Sequence, residues 1–358
     1  MANLLPLHDL HVKLGAEIAA PCGFDLPISY GDPAAEHRAV RAAVGVIDRS
    51  HYGVIEATGQ DRVSFLNGML TNDIVRLRPG QGCGAAFLDA HGKVQLLLVV
   101  LALADRLLLI VPTGLAVKTR EALEKFHFAE RVEMRDVSDE WAMFMLAGPK
   151  TAATVGRLTG APPPEALWEH TETAVKGIPV RLLRGSRETG ASEAWLLGRR
   201  EDGAALLEAI LAAGATPVGL TALDALRVEA GTPWFGHDVD DTALLPEVPF
   251  EPLVSYTKGC YIGQEVIVRV RDRGHVNRLL TGLTLEGESV PRPGSAIVAG
   301  GKEVGRITSA VRSFGLGRPI ALGFVRREHA TPGSAVRIRS DGGELAARVT
   351  ALPFVRGA

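Results

Sequence analysis

The sequence predicts an α+β protein of more than one lobe, ending in a small β-barrel domain. Three observations predict it. The chain has 358 residues, more than one hydrophobic core usually organises. Up to about residue 277, strand-like runs alternate with single helices, without the strict strand–helix rhythm of a doubly wound sheet. Beyond it, short β-type runs recur at 279–285, 296–298, 320–325, 335–338 and 345–349, separated by Pro-Gly and Gly-Gly turns. The expected division is therefore a module over residues 1–277 and a barrel domain over 278–358.

The elements follow in order. Leu10, Leu14 and Ile18 fall four apart and predict a helix over 8–20. Ala39, Val40, Ala43 and Val44 predict a second, from Ala34 to Val46. Val54–Ala57 and Phe87–Leu88 read as strands. Between them, Asp61 is a candidate N-cap for a helix with Val63, Leu66 and Leu70 on one face. Asp89-Ala90-His91-Gly92-Lys93 reads as a hairpin turn. The most apolar run, Val94 to Val111, is split by Asp105–Arg106 into pieces too short to cross a bilayer as helices. It predicts two buried strands. Thr113 is placed to cap a helix through about Phe126. Trp141–Leu146 predicts a strand stopped by Gly148–Pro149, with a helix to about Leu158 after it. Ala161-Pro162-Pro163-Pro164 reads as a linker. Ala194–Leu197 predicts a strand, and Asp202 a cap for a helix to Ala213.

Composition excludes several function classes. Apolar content of 46% and charged content of 22% are ordinary for a globular chain. A formal charge of -2 gives no general attraction to nucleic acid, and 5% aromatics argue against a base-stacking platform. Cysteines 22, 83 and 260 are far apart and odd in number, which argues for a reducing, cytoplasmic setting. No Cys/His spacing suggests a metal cage, so no metal site is expected. The first residues lack a basic region followed by an apolar core, so no secretory signal is expected. No phosphate-binding glycine loop and no G-x-S-x-G elbow occurs, which disfavours nucleotide-dependent and serine-hydrolase chemistry.

Three stretches carry candidate chemistry. In KGCYIGQE (258–265), Cys260 sits on a glycine turn, two residues from Lys258. A neighbouring cation lowers a thiol's pKa, so the stretch reads either as a working thiol or as an ordinary turn holding an inert cysteine. RVRDRGHVNR (269–278) holds four arginines and His275 against Asp272. It reads either as a cradle for a polyanion or as a solvated inter-domain connection. In LRVEAGTPWFGHDVDD (226–241), Asp238, Asp240 and Asp241 lack calcium-loop spacing and read as a capped, solvated loop.

KGCYIGQE, with RDRGHVNR downstream, resembles the signature of the YgfZ family, folate-binding proteins that support iron–sulfur enzymes, including one that modifies tRNA. Residues 7–31, 35–74 and 225–241 also resemble the glycine cleavage T protein, an aminomethyltransferase similar in fold. The resemblance implies a T-protein-like three-lobed ring around a tetrahydrofolate pocket, with the C-terminal barrel as one lobe. It implies Cys260 as the working thiol, tuned by Lys258, with Gly263 giving the turn its freedom. It implies folate contacts through Tyr261, Gly263, Gln264, Glu265, Arg227, Glu229, Asn72 and Arg269. The T-protein pattern is altered at three sites. Two adjacent aspartates become Leu96 and Leu97, a glutamate falls on Trp195, and an arginine on Leu223. The expectation is therefore a cytoplasmic, monomeric folate-binding accessory factor. Its partners would be folate and iron–sulfur client or assembly proteins, with no membrane and no direct nucleic-acid contact. The alternative is a folate-dependent aminomethyltransferase.

Overall fold

The computed structural model describes residues 3–21, 23–249, 251–340 and 343–355; Cys22 lies outside them. Strands β1 (Asn3–Leu4), β2 (Glu17–Ala19) and β3 (Phe24–Ser29) form a small sheet ordered β1-β3-β2. Two larger sheets begin close together, at β4 (Gly45–Asp48) and β5 (Gly53–Thr58). Strands β6 (Gly82–Leu88), β7 (Val94–Ala102), β8 (Leu107–Val111) and β9 (Glu133–Asp136) complete a five-stranded sheet, order β6-β7-β8-β5-β9. Strands β10 (Trp141–Ala147), β11 (His170–Val175), β12 (Ile178–Arg184), β13 (Glu193–Arg199) and β14 (Thr216–Pro217) complete a six-stranded one, order β11-β12-β13-β10-β4-β14. The closed barrel follows: β15 (Arg278–Leu285), β16 (Ala296–Ala299), β17 (Lys302–Ser313), β18 (Arg318–Arg326), β19 (Ala335–Ser340) and β20 (Gly343–Thr350).

The two larger sheets face each other. Val54, Leu108 and Ile110 from one pack with Ile47, Met143, Met145 and Leu197 from the other. Helices α1 (His8–Lys13) and α2 (Pro33–Ala42) open the chain. Helices α3 (Arg62–Met69) and α4 (Ala116–Glu124) cover the outer face of the five-stranded sheet through Phe65, Leu66 and Leu123. Helices α5 (Thr151–Thr159) and α6 (Gly203–Ala212) cover the outer face of the six-stranded sheet. Helix α7 (Leu220–Glu229) enters the core between the sheets. The barrel has its own interior, built on Leu283, Ile297, Val325 and Ile338. A further cluster joins it to the rest, with Leu280, Leu322 and Phe324 against Ala86, Leu88 and Val228.

The α+β class and the closed C-terminal barrel stand as the sequence predicted. Several local readings do not. The helix expected over 8–20 stops at Lys13, because Gly15 turns the chain at φ +84 and Ile18 then pairs with Pro27 in a strand. The helix expected to Val46 stops at Ala42. The next apolar residues are drawn into β4, buried between β10 and β14, so sheet pairing overrides the helical spacing. Thr113 caps nothing, since α4 begins at Ala116. Asp61 and Asp202 occupy N-cap positions without a side-chain cap bond; Asp61 instead accepts from the Arg131 backbone N–H at 2.8 Å. Ala161–Pro164 joins α5 to β11 inside one lobe. The basic stretch from Arg269 is largely helix, α8 (Gln264–Arg273).

Candidate active site

A cavity of about 980 Å³ opens where the two large sheets and the segment after α7 meet. That is the size of a small-molecule site. Its lining residues all fall between Pro21 and Leu253, so no barrel strand contributes. Strand β7 forms one wall. Successive side chains on a strand point to opposite faces. Val94, Leu96 and Leu98 alternate with Gln95, Leu97 and Val99; the second set lines the cavity, and of the first set only Leu98 reaches it. Leu96 packs on the other side with Ile55, Phe65 and Leu109. Of the two leucines that the resemblance sets against a pair of aspartates, Leu97 lines the cavity and Leu96 does not.

One end of the cavity is polar and aromatic. Arg49 follows directly on β4, and its backbone N–H donates to the Met143 carbonyl at 2.8 Å, which carries its side chain inward. It is 1% exposed. Its guanidinium donates to Glu188 Oε2 at 2.6 Å and to the Tyr52 hydroxyl at 3.3 Å. It also lies 5.1 Å from the Tyr52 ring centre, 5.9 Å from Trp195 and 5.8 Å from Trp234. Trp234 Nε1 donates to Glu188 Oε1 at 2.6 Å. Burial works against the Arg49 charge, but the Glu188 carboxylate outweighs it and holds Arg49 above its ordinary range. Desolvation and the Arg49 charge push the His51 imidazole down to about 3, so it is neutral at physiological pH.

Behind this end sits Glu193, fully buried at the start of β13. Its Oε1 accepts from the Thr189 backbone N–H at 2.7 Å and the Thr189 hydroxyl at 2.8 Å; its Oε2 has no partner. Burial, reinforced by the Glu188 charge, pushes its carboxyl up to about 7. A raised carboxyl pKa means that the native state keeps a proton that the unfolded chain releases. The contribution is complete below the ordinary value of 4.5 and is lost as pH rises through about 7. This one group is worth on the order of 3 kcal/mol between pH 5 and pH 8. Urea unfolding at both pH values should therefore show a weaker protein at pH 8, and Glu193→Gln should remove most of that difference. An unchanged pH dependence in the variant would refute the assignment.

The ten residues expected at the site lie elsewhere; none lines the cavity. Cys260 is exposed, just before α8. The other described cysteine, Cys83, is half-buried, and burial pushes its thiol up to about 12. Lys258 does not serve Cys260. Its ammonium donates to the carbonyls of Asn67, Leu70 and Asn72 at 2.5, 2.6 and 2.8 Å, which uses all three of its protons at the C-terminal end of α3. Burial there pulls it down to about 8. Lys258→Met should cost about 1.5–3 kcal/mol of stability and leave the alkylation rate of Cys260 unchanged. Slower alkylation in the variant would restore the thiol-tuning role.

Tyr261 is buried under the Lys258 ammonium, 5.0 Å from its ring centre. Gly263 adopts φ +79, and a Cβ there would meet the Asp89 carbonyl at 2.5 Å, so its smallness serves the hairpin contact. Gln264 is half-buried at the start of α8, while Glu265 and Arg269 are exposed along it. Asn72 holds the cavity wall from behind, donating to the Gly84 carbonyl at 2.8 Å and the Pro252 carbonyl at 3.1 Å. Arg227 is buried against Asp238, Asp224 and Ser309, and Glu229 against His37, Arg41 and Ser313. Asp238 is thereby an ion-pair partner. Among the described residues no group of three or more His, Cys, Asp or Glu could hold a metal ion.

Arg49, Glu188 and Trp234 escaped the sequence reading. The available signal was an arginine between two apolar strand runs, in GVIDRSHYGVIE.

A ligand-sized cavity between two sheets, with a closed barrel appended, defines the architecture of this α+β protein. The chain belongs to the glycine cleavage T-protein family. The family model described as GCVT N-terminal domain matches residues 7–258, and that of the glycine cleavage T-protein C-terminal barrel domain matches 278–356. An aminomethyltransferase of Chloroherpeton thalassium is 32% identical over 356 residues, covering 98% of both chains. One of Thermus thermophilus is 34% identical over 352 residues, again covering 98% of both. The crystal structure of glycine cleavage system aminomethyltransferase T from Bartonella henselae superposes with a TM-score of 0.90 at 26% identity, covering 100% of this chain and 99% of that one. These likenesses overturn the iron–sulfur accessory role expected from KGCYIGQE. That expectation set one eight-residue loop and three altered sites above a similarity that runs through the whole chain. Among the described residues no helix is long and apolar enough to cross a membrane.

Proposed function

We propose that this protein is a tetrahydrofolate-dependent transferase of the aminomethyl class, with the folate bound in the 980 Å³ cavity. The observation that carries the reading is that cavity, in a scaffold similar over its full length to an aminomethyltransferase. The net reaction forms two C–N bonds on the folate and breaks the C–S and C–N bonds of an aminomethyl thioether. The two protons lost by the folate amines end on the thiol and on ammonia. In this chain the aromatic residues hold the folate, and β7 offers the reacting nitrogen an aliphatic wall at Leu97. The Glu188 charge is already balanced by Arg49.

Within the family, KGCYIGQE is the stretch that aligns the chain with YgfZ-type members. The reading has the protein work in the cytoplasm as a monomer, with a cavity module over 1–277 and a barrel domain over 278–358. Titration calorimetry should detect tetrahydrofolate binding. A carrier loaded with the aminomethyl group should release ammonia only when protein and folate are both present. No heat of binding, and ammonia no higher than without protein, would overturn the proposal.

A further inference from the structure

Three buried polar atoms behind the Arg49 end of the cavity have no hydrogen-bond partner: Arg49 Nε, Trp195 Nε1 and Glu193 Oε2. Two are donors and the third is an acceptor, so the set can satisfy itself. The three lie close together. A carbon placed on Gly185 would meet Glu193 Oε2 and Trp195 Cδ1, the atom bonded to Nε1, each at 3.1 Å. The Arg49 guanidinium lies 5.9 Å from the Trp195 ring, and the Glu193 charge reaches it. Buried donors and acceptors are ordinarily paired, so complementary ones left apart point to a second arrangement.

Arg49 is the cation at issue. It is bound to Glu188 at 2.6 Å; Glu188 also accepts from Trp234 Nε1 at 2.6 Å and lines the cavity. Glu188 lies on the connection between β12 and β13, and Glu193 at its end. The backbone of that connection is held from outside. Thr232 Oγ1 donates to the Glu188 carbonyl at 2.9 Å, and Arg41 donates to the Thr189 carbonyl at 2.8 Å. A rearrangement is thereby confined to side chains. The other charged groups around Glu193 are committed. Arg41, from α2, is spent on that carbonyl and on Glu229 of α7, which His37 also holds. Arg184, from β12, pairs in register with Ala194, on the opposite face from Glu193, and donates to Ser192. Strand β10 sets Ala147 opposite Glu193, and His51 is neutral.

We propose that Glu193 is a proton-controlled rival of Glu188 for Arg49. Protonated, it leaves Arg49 with Glu188, the arrangement of this structure. When its proton passes to water, its free oxygen accepts from Arg49 Nε and Trp195 Nε1, and the Glu188 carboxylate is released to the cavity. One guanidinium cannot neutralise two buried carboxylates, so the second charge turns to the open space beside it. Burial and the Glu188 charge set the step at about pH 7. This end of the cavity is therefore balanced in charge below that pH and negative above it. The inference goes beyond the proposed function, and its test needs no ligand, so either can fail alone.

The test is an NMR titration of the full chain with isotope-labelled tryptophan, from about pH 5 to about pH 9. The four tryptophans give four indole N–H signals, assigned by single Trp→Phe variants. In the wild type the Trp195 and Trp234 signals should move together with one midpoint at about pH 7. One indole gains an acceptor, and the acceptor of the other is released from Arg49. Glu193→Gln, which cannot ionise, should leave both signals flat. Glu188→Gln removes the repelling charge and frees Arg49, so the Trp195 midpoint should fall by at least about one pH unit, a tenfold change in ionisation. The wild-type and Glu188→Gln titrations stand even if Glu193→Gln folds poorly. A Trp195 or Trp234 signal that does not titrate in the wild type overturns the inference. So does a titration that survives in Glu193→Gln, or a midpoint that Glu188→Gln leaves in place.

Discussion

Replacing Leu97 with aspartate is expected to raise the rate of ammonia release about 100- to 1000-fold, the usual worth of one aimed electrostatic group in a catalytic site. The position is fixed by the pleat of β7, where Gln95, Leu97 and Val99 face the cavity and Leu96 does not. In the transfer, positive charge develops on nitrogen as ammonia departs. A carboxylate on the wall both orients the attacking amine and stabilises that charge; a leucine does neither. The wild-type rate should therefore be slow, with binding intact. Leu97→Asn supplies the control, since it adds polarity without charge and should give no comparable gain. Leu96→Asp should give no active protein, because it buries an unpaired charge among Ile55, Phe65 and Leu109. The measurement is kcat for ammonia release in wild type, Leu97→Asp and Leu97→Asn. Equal rates in all three would mean that this strand takes no part in the chemistry.

Much of the scaffold was legible in the chain. The Val94–Val111 run breaks at Asp105–Arg106 into β7 and β8 because a turn needs polar residues and both strands are buried. The barrel was legible from regularly spaced turns. What failed was local periodicity against tertiary pairing: Ile18 keeps helical spacing yet sits in a strand. Strands β11 and β12 escaped because charged residues such as Glu172 and Arg181 interrupt their apolar faces. The site was less legible, for a physical reason. The partners that decide each side chain's role are distant in sequence. Lys258 looks like a tuner of Cys260, but its ammonium is spent on carbonyls 186 to 191 residues away. Arg49 and Glu188 meet across 139 residues, and neither stands in a recognisable motif. Arg227 and Glu229 were visible as polar residues in an apolar helix. Their direction, away from the cavity, was not.

Glu229→Gln is expected to destabilise the protein by about 3–5 kcal/mol, the range found when one partner of a buried ion pair is removed. Glu229 is fully buried at the end of α7 and joins three elements. It accepts from His37 Nε2 at 2.8 Å and Arg41 at 2.7 Å on α2, and from the Ser313 hydroxyl at 2.5 Å and the Gly315 N–H at 3.0 Å on the barrel. Two residues earlier, Arg227 reaches the barrel at Ser309, 2.7 Å away. Helix α7 thus fastens the barrel to the rest of the chain with polar contacts set beside the apolar cluster of Leu322 and Phe324. The amide of glutamine keeps the shape but leaves the Arg41 charge without its counter-ion. Burial alone would raise the Glu229 carboxyl, yet the bonds from His37, Ser313 and Arg41 hold it down at about 2. A lowered pKa contributes stability that is complete above 4.5 and is lost as pH falls through 2, on the order of 3 kcal/mol for this group. Urea unfolding at pH 7 should show the loss in Glu229→Gln, and acid titration should show wild type weakening below pH 4.5 more steeply than the variant. Ser313→Ala should cost far less in the Glu229→Gln background than in wild type, because the two groups share one bond. Additive costs for the pair, or a loss under about 1 kcal/mol for Glu229→Gln, would mean that the apolar cluster alone holds the barrel in place.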